Sequence, residues 1–375
     1  MMLSMRLVII GGGILGTAHA LAAVDRGHEV VQLERETEAR GATVRNFGLV
    51  WVSGRSADEL AITLRSRQLW EEIGGRIPGV GFRPAGSITL VRTEAELAVA
   101  QAAASGPTAA ERGFELLDPD QVRAVNPALR GKFLAGLHCS TDGAVESRQA
   151  MPALRAYLES TGRYGFYAGT EARTVTGGTV LDDRGRRWEA DLVLVCPGAA
   201  HTGLTRELVG DIPVRRVRLQ MMQTAPLGEP LTTAIADGDS FRYYPGFAGP
   251  ALETLNREES QAFTAARHRM QLLCVQRLHG GLTIGDTHEY DEPFAFDVDE
   301  EPYDHLTAVT EELLGRALPP VVRRWAGVYS QSVDPAAIVT RVRAADNVWV
   351  ITGPGGRGMT LGPALGAETA DLLNL

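Results

Sequence analysis

The chain opens on a short apolar run, Leu7 to Ile10, that passes straight into Gly11-x-Gly13-x-x-Gly16. An apolar stretch of helical length follows, then a turn at Arg26-Gly27-His28. A second apolar run, Glu29 to Leu33, ends on Glu34. Short apolar runs joined through glycine turns and a helix predict a βαβ unit with strands buried on both faces. Helical periodicity with Ser or Asp starts and Gly stops predicts helices over 56–74, 94–112 and 147–162, with a capped turn over 118–127. Another helix is expected over 302–318. Strand patterns cover 81–91, 164–195 with a hairpin near 182–185, and most of 214–284, broken by a helix near 258–266. Residues 347–375 repeat the opening pattern: the strand VWVIT enters Gly353-Pro354-Gly355-Gly356-Arg357-Gly358 and then a helix.

Nucleotide-binding patterns therefore sit at both ends of the chain, with a buried-looking strand, Asp191 to Cys196, between them. This layout predicts a nucleotide-binding domain from three pieces, 1–80, 140–213 and 322–375. The β-rich pieces 81–139 and 214–321 form a second, substrate domain. A bound flavin suits such an interrupted domain better than a diffusible nicotinamide does.

Composition narrows the class. The 375 residues suffice for two domains, and the net charge of −9 argues against a general nucleic-acid binder. No apolar run approaches a membrane span, and the first apolar run leads into the glycine loop rather than a cleavage site. The three cysteines, Cys139, Cys196 and Cys274, form no CxxC pair, and the eight histidines form no HxxxH or HExxH pair. Neither a disulfide framework nor a metal site is expected, and a cytoplasmic location is. Lys132 is the only lysine and reads as part of a surface turn.

The opening unit carries the first chemistry. Gly11 permits a tight turn, Gly13 lets the backbone approach a pyrophosphate, and Gly16 lets helix and strand pack closely. The helix N-terminus offers free N–H groups to phosphate oxygens. Glu34, eighteen residues after Gly16, stands where it can accept hydrogen bonds from a ribose. Elsewhere, Ser240 to Tyr244 reads as a strand, so Tyr243 and Tyr244 face opposite sides and at most one of them reaches the cofactor. Asp286, His288 and Tyr290 share one face of an extended strand that could hold an amine or steer its deprotonation. The arginines of 215–218 read as solvated strand positions.

Three separated motifs, VIIGGGILG…VVQLER, ADLVLVCPGAAH and NVWVITGPGGRGMTLGPALGAETADLL, together resemble the D-amino-acid-oxidase-like family of flavoenzymes. That family includes glycine oxidase, sarcosine oxidase and related amine oxidases. Asp142-Gly143-Ala144-Val145 is similar to the family's DGxV stretch. Within the family, Gly41 to Arg55, Gly281 to Tyr290 and Trp325 to Ser332 resemble a subgroup associated with aminophosphonate breakdown.

The resemblance implies an α/β fold: a discontinuous Rossmann-like FAD domain of the glutathione-reductase type, plus a mixed-sheet α+β substrate domain. It implies FAD on Gly11, Gly13, Ile14, Gly16 and Glu34, with Arg35 near the adenine. Arg45 and Asn46 lie in the stretch that wraps the flavin ring. The turn of Cys196 and Gly198 passes close to the cofactor. Gly355, Gly356, Gly358, Met359 and Thr360 form the C-terminal loop and helix start, aimed at the flavin's pyrimidine edge. Arg357 and Arg45 are expected to hold an acidic group of the substrate.

Two departures qualify the resemblance. Tyr329 stands where amino-acid-oxidising members often carry an arginine after W-x-G, and no cysteine lies there, so FAD is expected to be non-covalent. No lysine lies in the part of the substrate domain where sarcosine oxidase uses one to assist oxygen. The implied reaction is oxidative deamination of a small-molecule amine bearing an acidic group: an amino acid, an N-methyl amine, or an aminophosphonate such as 2-aminoethylphosphonate. Hydride passes to flavin N5, the imine hydrolyses, and oxygen is reduced to hydrogen peroxide. A dehydrogenase feeding a quinone or carrier protein, and a flavin-binding protein without turnover, stay open as alternatives.

Overall fold

Leu7, Val8 and Ile9 are wholly buried, and the strand they form, Arg6–Ile10, lies inside a six-stranded sheet. Its neighbours are Glu29–Glu34 on one side and Leu192–Val195 on the other, both parallel to it. Tyr164–Ala168 extends the sheet beyond the first. Val348–Thr352 and the antiparallel edge strand Thr340–Ala345 extend it beyond the second. The chain's first and last β-strand–helix units thus meet through a strand from its middle. The computed structural model describes residues 4–375, and among them no helix is long and apolar enough to cross a membrane.

The second sheet has eight strands. In spatial order they are Val321–Ser332, Val214–Pro226, Gly281–Gly285, Leu273–Gln276, Ala234–Ala236, Ser87–Val91, Ala135–Cys139 and Phe114–Leu117. It is mixed: Ala234–Ala236 runs parallel to Ser87–Val91, and the other pairs are antiparallel. The boundary expected at 322 is corrected here. Val321–Ser332 pairs along nearly its whole length with Val214–Pro226, so it belongs to the substrate sheet. The helix expected over 94–112 is also two, Glu94–Ala104 and Ala109–Arg112, split where Pro107 follows Gly106.

The C-terminal helix, Gly358–Leu372, packs on the first helix, Ile14–Asp25, through small residues one turn apart. A Cβ at Gly362 would lie 2.7 Å from the Ile14 side chain, and one at Gly366 would lie 2.6 Å from the Ala18 carbonyl oxygen. His19 ties the two helices: its Nε2 meets Thr369 Oγ1 at 2.9 Å and its Nδ1 meets the Leu15 carbonyl at 2.6 Å.

Burial lowers the His19 pKa to about 4 from the ordinary 6.5. Above 6.5 the ring is neutral in both folded and unfolded chains. As pH falls from there towards 4, the unfolded chain takes up a proton that the folded one refuses. That stability, up to about 3 kcal/mol, is lost across the window. His19→Gln should therefore show a shallower fall in melting temperature between about pH 7 and about pH 5 than the parent. An equally steep fall in both proteins would remove His19 as a source of the effect.

Candidate active site

A cavity of about 1350 Å³ runs from the glycine loop of the first βαβ unit to the inner face of the eight-stranded sheet. It exceeds the range of about 300–1,000 Å³ usual for small-ligand pockets, and so suits a dinucleotide with further room beyond it. At its nucleotide end, Gly11 has a φ of +112° and its Cβ would lie 2.2 Å from the Cys196 carbonyl oxygen. A Cβ on Gly16 would lie 2.1 Å from the Gly11 carbonyl oxygen. These two glycines are required by the protein's own packing. Gly13 differs: its Cβ would meet only Thr43 Oγ1, at 3.1 Å, and the residue lines the cavity. Thr43 Oγ1 accepts the Ile14 N–H at 2.9 Å. Glu34 ends its strand with one carboxylate oxygen accepting the Gly12 N–H at 2.6 Å and the other accepting the Glu36 N–H at 2.9 Å. Arg35 lies exposed on the same rim.

The far wall comes from the second β–loop–helix unit. Gly198 and Gly356 line the cavity, and a Cβ at either would meet nothing within 4 Å beyond its chain neighbours. Gly355 and Gly358 complete the loop, and the Met359 side chain is buried on the wall. Thr360 is committed to the protein: its hydroxyl accepts the Trp51 N–H and donates to the Leu49 carbonyl. Asn46 braces its own loop, donating to the Ala42 and Thr43 carbonyls and accepting the Gly48 N–H. Cys196 is buried, and burial pushes its thiol up to about 12, so it is inert. Open glycines on the wall and buried polar atoms without partners, Glu59 Oε2, Gln271 Oε1 and Tyr329 Oη, fit a large bound ligand. The residues present thus fit FAD.

Beyond the nucleotide end lies a chamber that sequence reasoning did not identify residue by residue. Its centre is Arg55. The segment 52–55 that carries it is held from both sides. Asp142, wholly buried, accepts the Val52 and Ser53 N–H groups. Arg112, also buried, donates to the Val52, Ser53 and Arg55 carbonyls. The Arg55 side chain is 7% exposed and makes one hydrogen bond, from Nε to the Trp51 carbonyl. Among the described residues its two terminal nitrogens have no partner, and the residue lines the cavity. Its guanidinium stands 5.8 Å from the centre of the Tyr244 ring. Burial lowers its pKa, the signature of a cation with little water around it. Tyr243, Tyr244 and Tyr329 share the chamber, and burial raises all three phenols, so each is a neutral hydroxyl. Asp286, His288 and Gln271 close it.

Several expected positions come out differently. Tyr243 and Tyr244 both line the cavity, because Asp239–Tyr243 is a helical turn rather than a strand. The turn ends at Tyr243 and Tyr244 is extended, so strand alternation does not govern the pair. Arg357 does line the cavity, but its fork is already engaged. It is paired with buried Glu59 and donates to the Pro354 and Ala337 carbonyls at 2.9 and 3.1 Å. It braces the C-terminal loop and has no free edge for an anion.

Arg45 lies exposed at the rim, donating to the Ala326 carbonyl. The regular strand ends at Gly285, yet alternation persists beyond it. Asp286 and His288 reach the cavity while Thr287 turns away to accept the Gln220 N–H. Tyr290 is outside the cavity lining, held between the guanidinium groups of Arg215 and Arg269. Arg218, expected to be solvated, is buried and pins Glu289 and the Asp297 carbonyl. In the sequence Arg55 stands out only as the basic residue that ends the run Gly41 to Arg55. Its partners Arg112 and Asp142 lie far along the chain.

The family of FAD dependent oxidoreductases matches residues 6–372. Glycine oxidase from Geobacillus kaustophilus is 26% identical over 239 residues, 58% of this chain and 63% of that protein. Its solved structure superposes with a TM-score of 0.77 at 20% identity, covering 99% of this chain and 95% of the other. A subunit of opine oxidase from Rhizobium meliloti is 25% identical over 168 residues, 42% of this chain and 45% of that one. The chain therefore spans under two thirds of the length of these curated relatives. L-proline dehydrogenase from P. horikoshii shares the fold, with a TM-score of 0.78 at 19% identity over 99% of this chain and 93% of the other. With the match running across both sheets and the cavity between them, the chain belongs to the family of FAD dependent oxidoreductases.

Proposed function

We propose that this protein oxidises the carbon–nitrogen bond of a small amine that also carries an acidic group. The observation that carries the reading is Arg55: a buried, rigidly mounted cation with two open nitrogens, among neutral phenols and near the Glu59–Arg357 pair. A guanidinium fork there suits a carboxylate or a phosphonate. FAD supplies the two-electron acceptor when bound. The chain's own part is to hold the acid at Arg55, fix the amine against the opposite wall, and exclude water with Trp51, Tyr243, Tyr244 and Tyr329. Loss of two electrons leaves an imine, which water converts to a carbonyl compound and ammonia or a primary amine. Glycine oxidase and opine oxidase among the relatives are consistent with an amino-acid-like substrate.

Within that class, 2-aminoethylphosphonate or its N-methyl form is the leading candidate. The three stretches that resemble the aminophosphonate subgroup contribute Arg55, Asp286 with His288, and Tyr329 to one chamber. Oxygen is the proposed acceptor. A second reading, transfer to a quinone or carrier protein, is favoured by the position of Lys132, exposed and off the cavity wall. Three buried free thiols suit a reducing compartment such as the cytoplasm.

The test is anaerobic bleaching of the bound flavin by a panel of amino acids, N-methyl amines and aminophosphonates. Bleaching by an acidic amine is expected, and peroxide should appear when air is admitted. Bleaching without oxygen uptake selects the dehydrogenase, and a flavin that no amine bleaches removes the enzyme reading altogether. Acid precipitation should leave the flavin in the supernatant, since among the described residues the only cysteine on the wall is the inert Cys196. Flavin in the pellet would mean a covalent link.

A further inference from the structure

Two acceptor atoms face one another on the wall of the cavity that Arg55 also lines. Asp286 Oδ2 and His288 Nε2 are 3.9 Å apart, and both side chains are almost fully buried. That separation is too long for a hydrogen bond between them. Each is fixed from behind. His288 Nδ1 lies 3.0 Å from the Arg269 carbonyl oxygen. A carbonyl can only accept, so Nδ1 carries the ring proton and Nε2 presents its lone pair. Burial holds this ring's pKa down to about 4, which keeps the lone pair free at neutral pH. Tyr243 stacks on the ring with centroids 4.3 Å apart.

Asp286 Oδ1 accepts from Gln271 Nε2 at 2.8 Å, which orients Oδ2. The backbone is clamped as well: the Asp286 and His288 N–H groups donate to the Gln271 and His268 carbonyls. The Tyr244 hydroxyl is near both Asp286 and Arg55.

We propose that Asp286 Oδ2 and His288 Nε2 form a two-acceptor socket for a primary or secondary amine whose acidic group rests on Arg55. This deepens the reading of the site as one that oxidises acidic amines, and it rests on that reading. One nitrogen with two N–H bonds reaches both atoms at about 2.9 Å each. A quaternary ammonium has no N–H and cannot enter. Burial raises the Asp286 carboxyl above the ordinary carboxylate range, and an ammonium entering the socket displaces that proton to solvent, which leaves Oδ2 as an acceptor. The same oxygen then takes a proton from the ammonium. One N–H bond breaks, one O–H bond forms on Oδ2, and the nitrogen lone pair is freed for oxidation of the adjacent carbon.

The test uses the holoenzyme and reads ligand binding from the flavin absorbance, apart from turnover. One probe set is 2-aminoethylphosphonate, its N-methyl and N,N,N-trimethyl forms, and ethylphosphonate. The other is glycine, sarcosine, betaine and acetate. In the set that binds, primary and secondary amines should bind about tenfold or more tightly than the quaternary ammonium or the amine-free acid. Asp286→Asn should bring the amines down to the level of the amine-free acid and leave that acid's own affinity unchanged. Equal binding of quaternary and primary amines overturns the socket. So does equal weakening of all ligands in Asp286→Asn, or no binding by either set. Selective binding without bleaching keeps the socket and removes the oxidation. Bleaching without selectivity does the reverse.

Discussion

Arg55→Met should raise the concentration of acidic amine that half-saturates flavin reduction by on the order of 100-fold, with the flavin still bound. Removing one member of a buried, hydrogen-bonded charge pair costs about 2–5 kcal/mol in binding, much of it from the anion left without a partner. The free protein should tolerate the change. Arg55 makes one side-chain hydrogen bond, and the segment beneath it is held by Asp142 and Arg112 whatever residue 55 is. Methionine fills much of the same volume and brings no charge to desolvate. Arg55→Lys should fall between the two, because an ammonium replaces a planar fork with a point charge. Arg357→Met is the contrasting variant. It leaves Glu59 buried and unpaired, so it should lower stability and flavin retention before it alters the response to substrate. The two arginines are distinguished by which quantity moves. If Arg55→Met titrates like the parent across the panel, the acid is held elsewhere and the chamber is misassigned.

Gly13→Val is expected to give a folded, colourless protein. The valine side chain would project past Thr43 Oγ1 into the cavity ahead of the first helix, where a pyrophosphate approaches the backbone. Gly16→Ala, three residues on, should behave otherwise. Its single added carbon meets the Gly11 carbonyl oxygen at 2.1 Å, so the strand–helix unit itself must give way. One glycine answers to the ligand and the other to the packing. Flavin content measured beside the melting temperature separates them, and a yellow Gly13→Val preparation would contradict the placement of the nucleotide.

Local features were the legible ones. Glycines, a helix and an acid in fixed order identify the nucleotide end, because each role there is set by near neighbours. The alternation that puts Asp286 and His288 on one side survives even where the regular strand stops. What stayed hidden depends on residues distant in the chain. Arg357 reads as free until Glu59, 298 positions earlier, arrives beside it. Arg55 reads as one basic residue among many until Arg112 and Asp142 fix its backbone and the phenols dry its surroundings. Tyr243 and Tyr244 were placed by a strand period where the chain makes a helical turn, a distinction that five residues of pattern cannot carry. The edge of the substrate domain was misjudged for a related reason: Val321–Ser332 takes its partner from a hundred residues upstream.

The interleaving of the two sheets sets a schedule for the protein's own birth. The nucleotide sheet needs its residues 348–352, and the helix that packs on Ile14–Asp25 is Gly358–Leu372. Synthesis at about 5–20 residues per second leaves the first βαβ unit waiting about 17–68 s before its final neighbours exist. Through that interval its glycine loop is exposed and one flank of its sheet is an open edge. A chain that is cut short or stalled before residue 358 therefore cannot assemble a complete flavin site, and should reach the proteolytic machinery uncoloured.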